Sequence, residues 1–159
     1  MTRKRSAHKP RTVLATPFTL TRKAPKDKAD KVLLIFLTAL ETMARGEHPG
    51  EAEWRDLSDA VNTVETLAVG LRKLDEAEVM PLVHRAIEAM VGASTRFKAG
   101  QGMRLDGAGL QALRDVIDVY AQCLEGLTEH EMALAQAETQ RRLNRVLRAK
   151  QTRHTVVTL

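Results

Sequence analysis

Residues 51–73, EAEWRDLSDAVNTVETLAVGLRK, contain the clearest amphipathic pattern in the chain. Their apolar side chains recur at intervals of three and four residues, the spacing that places them on one face of an α-helix. These residues are Trp54, Leu57, Val61, Val64, Leu67, Ala68 and Leu71. Pro49 is expected in the first turn, and Glu51 and Glu53 complement the positive end of the helix dipole. We therefore predict a helix that packs through this face and ends by residue 73.

A second helix is predicted ahead of this segment. It begins near Asp27 or Asp30, which supply N-cap oxygens, and runs to Arg45 before Gly46 ends it. Its apolar face is wider than a single stripe, because leucines lie outside the main three- and four-residue spacing. Those leucines are Leu33, Leu34 and Leu37. We predict that this helix is either the central helix of the fold or part of an interface.

Three further helices are predicted after residue 73 from the same apolar spacing and from N-cap residues. Their expected ranges are 75–98, 106–124 and 128–150. Pro81 marks a kink or a late start in the first of them. Thr128 and Glu131 have the spacing of a capping box at the start of the last.

The core of such a protein must be mainly aliphatic, because only five of its 159 residues are aromatic. Aliphatic residues at helical spacing favour packed helices over a sheet. The fold class predicted is all-α, an antiparallel bundle of about five helices. We divide the chain into a basic extended or disordered arm (1–26), a helical bundle (27–150) and a frayed C-terminal tail (151–159).

Positive charge is concentrated at the two ends of the chain. Residues 1–26 contain eight Lys and Arg residues and no acidic residue, and residues 141–159 contain six and again no acidic residue. The stretch 27–140 holds all twenty acidic residues and eleven basic ones, which gives it a net charge of −9. An acidic body repels a polyanion, so contact with nucleic acid is expected to come from the ends.

The candidate binding residues are cations of these two ends, which can neutralise phosphates or bind an acidic protein. In the arm they are Arg3, Lys4, Arg5, Lys9, Arg11, Arg22 and Lys23. In the last helix Arg141, Arg145 and Arg148 fall at i, i+4 and i+7 and form one cationic stripe. The alternatives are that the stripe pairs with acidic residues of the protein and that the arm is a solvated tail.

The arm also contains an apolar segment, residues 12–21. Val13, Leu14, Phe18 and Leu20 alternate there with threonines, and prolines at 10, 17 and 25 disfavour helix. Such a segment can dock as an extended strand on a partner or on another copy of the chain.

Signals of an enzyme are missing from the sequence. The glycine-rich loop 100–109 lacks the spacing of a phosphate-binding loop, and a helix end, a turn and an N-cap at Asp106 explain it. Only His84 and Glu88 have the i, i+4 spacing of helical metal ligands, and a surface hydrogen bond is the favoured interpretation. We therefore predict no catalytic residues, no cofactor and no metal site.

The location expected is the cytoplasm. A single cysteine, Cys123, forms no internal disulfide, which fits a reducing compartment. The longest apolar run is residues 32–37, far shorter than the ~20 residues that span a membrane. No apolar signal core follows the basic N-terminus. Membrane partners are therefore not expected.

The first dozen residues contain the most specific part of a similarity to other proteins. Residues 1–5, MTRKR, followed by Lys9-Pro10-Arg11, and the later Thr95-Arg96-Phe97 and Met103-Arg104-Leu105, resemble small uncharacterised proteins of tailed bacteriophages and prophages of proteobacteria. That resemblance implies a bacterial host cytoplasm, or association with the virion. It implies no activity and no catalytic residues. The C-terminal basic stretch is longer here than in that group.

Two functional hypotheses follow. The leading one is a non-enzymatic phage protein that binds DNA or RNA through its basic arm, with the bundle as a platform for folding and formation of a homo-oligomer. The alternative is a protein-interaction factor that binds or inhibits an acidic host or phage protein.

Overall fold

A computed structural model describes residues 22–23, 25–45 and 49–149 of the chain. Five α-helices follow one another in this part: α1 (Lys26–Arg45), α2 (Glu51–Glu65), α3 (Glu76–Lys98), α4 (Gly107–Gly126) and α5 (Glu129–Ala149). Helix α2 continues directly into a π-helical turn, Thr66–Gly70. The predicted all-α bundle is confirmed. The predicted extended arm as far as residue 21 and the predicted frayed tail lie outside the described residues.

The predicted caps fix three of the helix starts. Side-chain oxygens of Asp75 and Asp106 accept backbone N–H groups at the starts of α3 and α4, at 2.9 and 2.7 Å. At α5 the capping box is reciprocal. The backbone N–H of Thr128 donates to Glu131 Oε2 at 2.9 Å, and the N–H of Glu131 donates to Thr128 Oγ1 at 3.2 Å. These bonds satisfy N–H groups that have no partner inside the helix.

Two predicted details of the helix starts are wrong. Pro49 precedes α2 instead of lying in its first turn, because the helix starts after Gly50, whose N–H donates to Glu53 Oε2 at 2.9 Å. Of the two alternatives predicted for Pro81, the late start of α3 is wrong, because α3 begins at Glu76 after the Asp75 cap and includes the proline, while the kink stays a prediction. Pro81 is exposed, so water can replace the hydrogen bond that its ring nitrogen cannot donate.

The central helix is α2, so of the two alternatives predicted for α1 the central position is wrong, while a place in an interface stays a prediction. Helix α2 packs against α1, α3, α4 and α5. Every residue from 60 to 68 is buried, including the start of the π-helical turn. In α1, by contrast, Leu34, Ile35 and Leu37 are 64%, 50% and 50% exposed. The apolar face of α1 is therefore divided: the part that includes Phe36, Leu40 and Met43 is buried, and the part with Leu34, Ile35 and Leu37 is exposed in the monomer.

A few specific contacts order the aliphatic core. The ring of Phe36 meets Tyr120 edge to face, with centroids 5.0 Å apart. Trp54 is buried, and its indole Nε1 donates to the carbonyl of Met90 at 3.3 Å. The loop between α3 and α4 also contributes, because its Met103 is fully buried. The helices are thereby held in one arrangement.

Gly109 of α4 lies close to Ala89 of α3. A Cβ atom added at Gly109 would be 2.9 Å from the Cβ of Ala89, whereas one added at Gly107 would meet no atom within 4 Å. We expect Gly109→Ala to lower the free energy of unfolding by about 1–3 kcal/mol, because overpacking forces the helices apart. The matched control, Gly107→Ala, should be neutral or stabilising. Urea unfolding followed by circular dichroism compares them, and equal stability of the two variants would contradict the close contact.

Candidate nucleic-acid interface

The root of the basic arm is fixed to the start of α5. The carbonyl of Arg22 accepts the N–H of Glu129 at 2.8 Å, and Lys23 forms an isolated antiparallel bridge with Thr128. Arg22 and Lys23 are both exposed. The other arm residues predicted to bind lie outside the described residues: Arg3, Lys4, Arg5, Lys9 and Arg11.

A short polar network stabilises the place where the arm is attached. Glu131 accepts hydrogen bonds from Lys73 Nζ at 2.6 Å and from the N–H and hydroxyl of Thr128 at 2.9 and 3.0 Å. The hydrogen bond from Lys73, and then those from Thr128, lower the pKa of Glu131 from 4.5 to about 2. The network joins the loop after α2 to the first turn of α5.

Replacing this carboxylate should destabilise the protein in a pH-dependent way. The folded-state pKa of Glu131 lies below its ordinary value, so ionised Glu131 stabilises the fold above pH 4.5, and this contribution is lost as the pH falls through about 2. We expect Glu131→Gln to lower the free energy of unfolding by about 1 kcal/mol at pH 7. The difference should shrink from pH 4.5 towards pH 2. Urea unfolding at several pH values measures it, and a difference that grows on acidification would contradict this assignment.

The stripe predicted on α5 faces solvent. Arg141 and Arg145 both pair with Glu138 of the same helix, at 3.2 and 2.9 Å, and their side chains remain 74% and 72% exposed. Arg148 is also exposed. Glu138 pairs with two of the three arginines, so the stripe keeps a net positive charge. Such exposed pairs contribute little to stability and leave the arginines accessible.

The stripe and the arm root lie at different places along α5. From Glu129 to Arg141 the helix rises by about 18 Å, and from Glu129 to Arg148 by about 28 Å. Within the described residues, Arg22 and Lys23 therefore do not join the stripe in one patch. A ligand that contacts both must extend along α5, or the arm must reach towards the stripe.

Sequence reasoning missed a buried polar cluster beneath the stripe. Arg142 Nη2 donates to Glu65 Oε1 at 2.7 Å, and its Nη1 donates to Thr66 Oγ1 at 3.2 Å. Thr139 Oγ1 lies 2.9 Å from Thr66 Oγ1. The Arg142 and Glu65 side chains are only 25% and 12% exposed. The signal in the sequence was the polar pair Glu65-Thr66 inside the apolar stretch of α2.

Three further features of the described residues bear on membrane, metal and thiol chemistry. None of the described helices combines the length and apolar character needed to span a membrane. No group of three or more His, Cys, Asp or Glu side chains in this part of the chain is placed to hold a metal ion. Cys123 is buried, and burial raises the pKa of its thiol to about 11, which disfavours the reactive thiolate.

Comparison of the chain with models of protein families, with curated proteins and with solved structures finds no match.

Proposed function

We propose that this protein binds nucleic acid through its basic N-terminal arm, without enzymatic activity, and that it acts in a bacteriophage setting. The observation that carries the proposal is the segregation of charge: eight cations and no acid in residues 1–26, beside a body of net charge −9. Cationic arms bind phosphate backbones by releasing condensed counterions, which needs no preformed pocket. The phage setting is supported by the resemblance of residues 1–11.

The geometry at the arm root supports this role. Because Arg22 and Lys23 are held at the start of α5 and are exposed, the arm has a defined origin on the bundle. The exposed stripe Arg141, Arg145 and Arg148 offers a second set of cations on the same helix. With the arm in contact with a phosphate backbone, the stripe can add contacts further along it.

Electrophoretic mobility shifts test the proposal. The full chain is compared on DNA and on RNA with the triple variant Arg3→Gln, Lys4→Gln, Arg5→Gln. The matched control removes three exposed cations of the bundle by Lys31→Gln, Lys98→Gln and Arg114→Gln, so that the net charge changes equally. We expect the arm variant to bind markedly more weakly and the control to bind nearly as the parent does. Absence of a shift at low salt with the parent chain would refute the proposal.

A second candidate is capture of an acidic host or phage protein by the same cations. The exposed apolar residues Leu34, Ile35 and Leu37 on α1 favour it, because apolar side chains contribute to protein contacts and not to phosphate binding. A stoichiometric protein partner that survives nuclease treatment in a pull-down would support this candidate over nucleic-acid binding.

A further inference from the structure

A continuous groove runs along α1: its first two cavities lie between α1 and α5, and its third lies between α1 and α2. It consists of three adjoining cavities of about 100, 280 and 310 Å³. Val32, Tyr120 and Gln136 line both the first and the second cavity. Ile35 and Asp56 line both the second and the third. We call this feature the α1–α5 groove.

The groove combines an apolar surface with an acidic side. Its α1 wall includes Leu34 and Ile35, which are 64% and 50% exposed, and Tyr120 lies at its base, buried. Its α2 wall carries Glu53, Asp56 and Asp59. An occupant that suits the groove therefore has large apolar side chains and positive charge.

The carboxylates of the acidic side repel one another, and the bundle compensates them only in part. Burial, followed by the charge of Glu53, raises the pKa of Asp56, and burial followed by the charge of Asp56 raises the pKa of Asp59. Arg55 lowers both pKa values, but its guanidinium is paired with Glu51, at 3.8 Å. A cation entering the groove would relieve this repulsion between carboxylates.

The N-terminal arm joins the bundle at one end of the α1–α5 groove. The first cavity is lined by Lys28 and Glu129, whose side chains pair at 3.6 Å. Glu129 is also the residue whose N–H donates to the carbonyl of Arg22. The chain that precedes Arg22 therefore starts beside the first cavity.

The length and pattern of the arm match the groove. From Glu129 to Gln140, α5 rises by about 17 Å, a span that about five extended residues cover. Counting back from Arg22, Leu20 falls at the level of the first cavity and Phe18 at the level of the second. Residues two apart in an extended chain point to the same side, so both side chains can enter the groove.

We propose that residues 12–21 lie extended in the α1–α5 groove of their own chain, with Leu20 in the first cavity and Phe18 in the second. Leu14, which points to the same side as Phe18 and Leu20, is then the next apolar side chain along the arm and can enter the third cavity. This docking covers the apolar wall of α1 and directs residues 1–10 away from the far end of the groove. It does not depend on whether those residues bind nucleic acid.

Disulfide trapping in the full chain tests the docking. Phe18→Cys is combined with Gln136→Cys, which lines the groove, and in the matched control with Leu134→Cys, which is 47% exposed in the same turn of α5. Helix positions two apart point in nearly opposite directions, so only one of the two thiols faces the groove. Cys123 is retained, because it is 2% exposed and its raised pKa makes it slow to oxidise.

The expected result is a disulfide within one chain that forms about tenfold faster with Gln136→Cys than with Leu134→Cys, because docking raises the effective concentration of the paired thiols. Intact mass and non-reducing electrophoresis measure the two products. Equal rates would overturn the proposal, since an undocked arm reaches both positions. A disulfide between two chains would overturn it as well and would assign the groove to the arm of a second copy.

Discussion

Replacing Arg142 with methionine is expected to lower the free energy of unfolding by about 3 kcal/mol, because it leaves the carboxylate of Glu65 buried without its charge partner. Glu65 is 12% exposed and accepts from Arg142 at 2.7 Å. The same substitution removes a hydrogen bond to the hydroxyl of Thr66, at the junction between α2 and the π-helical turn. Both losses fall on the central helix, so they affect the whole bundle.

Two further variants separate the ion pair from other effects. Arg141→Met changes the adjacent residue, whose side chain is 74% exposed, and should cost no more than about 1 kcal/mol. The double variant Arg142→Met, Glu65→Met should recover most of the stability lost by Arg142→Met alone, because neither charge is then buried without a partner. Urea unfolding followed by circular dichroism measures all three. Equal effects of the Arg141 and Arg142 single variants would contradict a structural role for the buried pair.

Local signals in the sequence predicted most of the architecture. The caps at Asp75, Asp106 and Thr128 are each short-range, since the side chain and the N–H it accepts lie within three residues of one another. The three- and four-residue spacing of the apolar residues in 51–73 follows from helix geometry, because a helix places side chains with this spacing on one face. Features of this kind depend on neighbours in sequence and can be deduced without knowing the packing.

The central position of α2 could not be deduced in the same way. Both α1 and α2 have apolar faces, and the face of α1 is wider, which indicated that α1 was the more buried helix. The bundle instead leaves Leu34, Ile35 and Leu37 exposed. The position of a helix in the bundle depends on contacts between residues that are distant in sequence. A wide apolar face is compatible either with burial in the core or with a surface that another segment covers.

The chemistry of the candidate site was also only partly predictable. The stripe spacing correctly placed Arg141, Arg145 and Arg148 on the exposed side of α5, but Arg142 follows the first of them and points inward. Its partner Glu65 is 77 residues away in sequence. Glu65 stands out as a polar residue in an apolar stretch, but no local pattern identifies Arg142 as its partner, because both residues are of types that usually face solvent.

The affinity for nucleic acid is expected to fall steeply with salt. We assume that each of the five cations of residues 1–11 neutralises one phosphate of duplex DNA. A plot of the logarithm of the association constant against the logarithm of the salt concentration then has a slope of about −4.5. A fourfold rise in monovalent salt, from about 50 to about 200 mM, then weakens binding by about 500-fold. Arg22, Lys23 and the stripe on α5 would make the slope steeper.

The slope also assigns the contacts to the arm. In the triple variant Arg3→Gln, Lys4→Gln, Arg5→Gln it should become shallower by about 2.7, because three fewer counterions are released on binding. The control Lys31→Gln, Lys98→Gln, Arg114→Gln alters the net charge equally but should keep the slope of the parent chain. Fluorescence anisotropy titrations of a labelled duplex at four or more salt concentrations measure it. Equal slopes for the two variants would place the phosphate contacts outside residues 3–5. The slope depends on how many cations contact the DNA phosphates and not on the net charge of the protein.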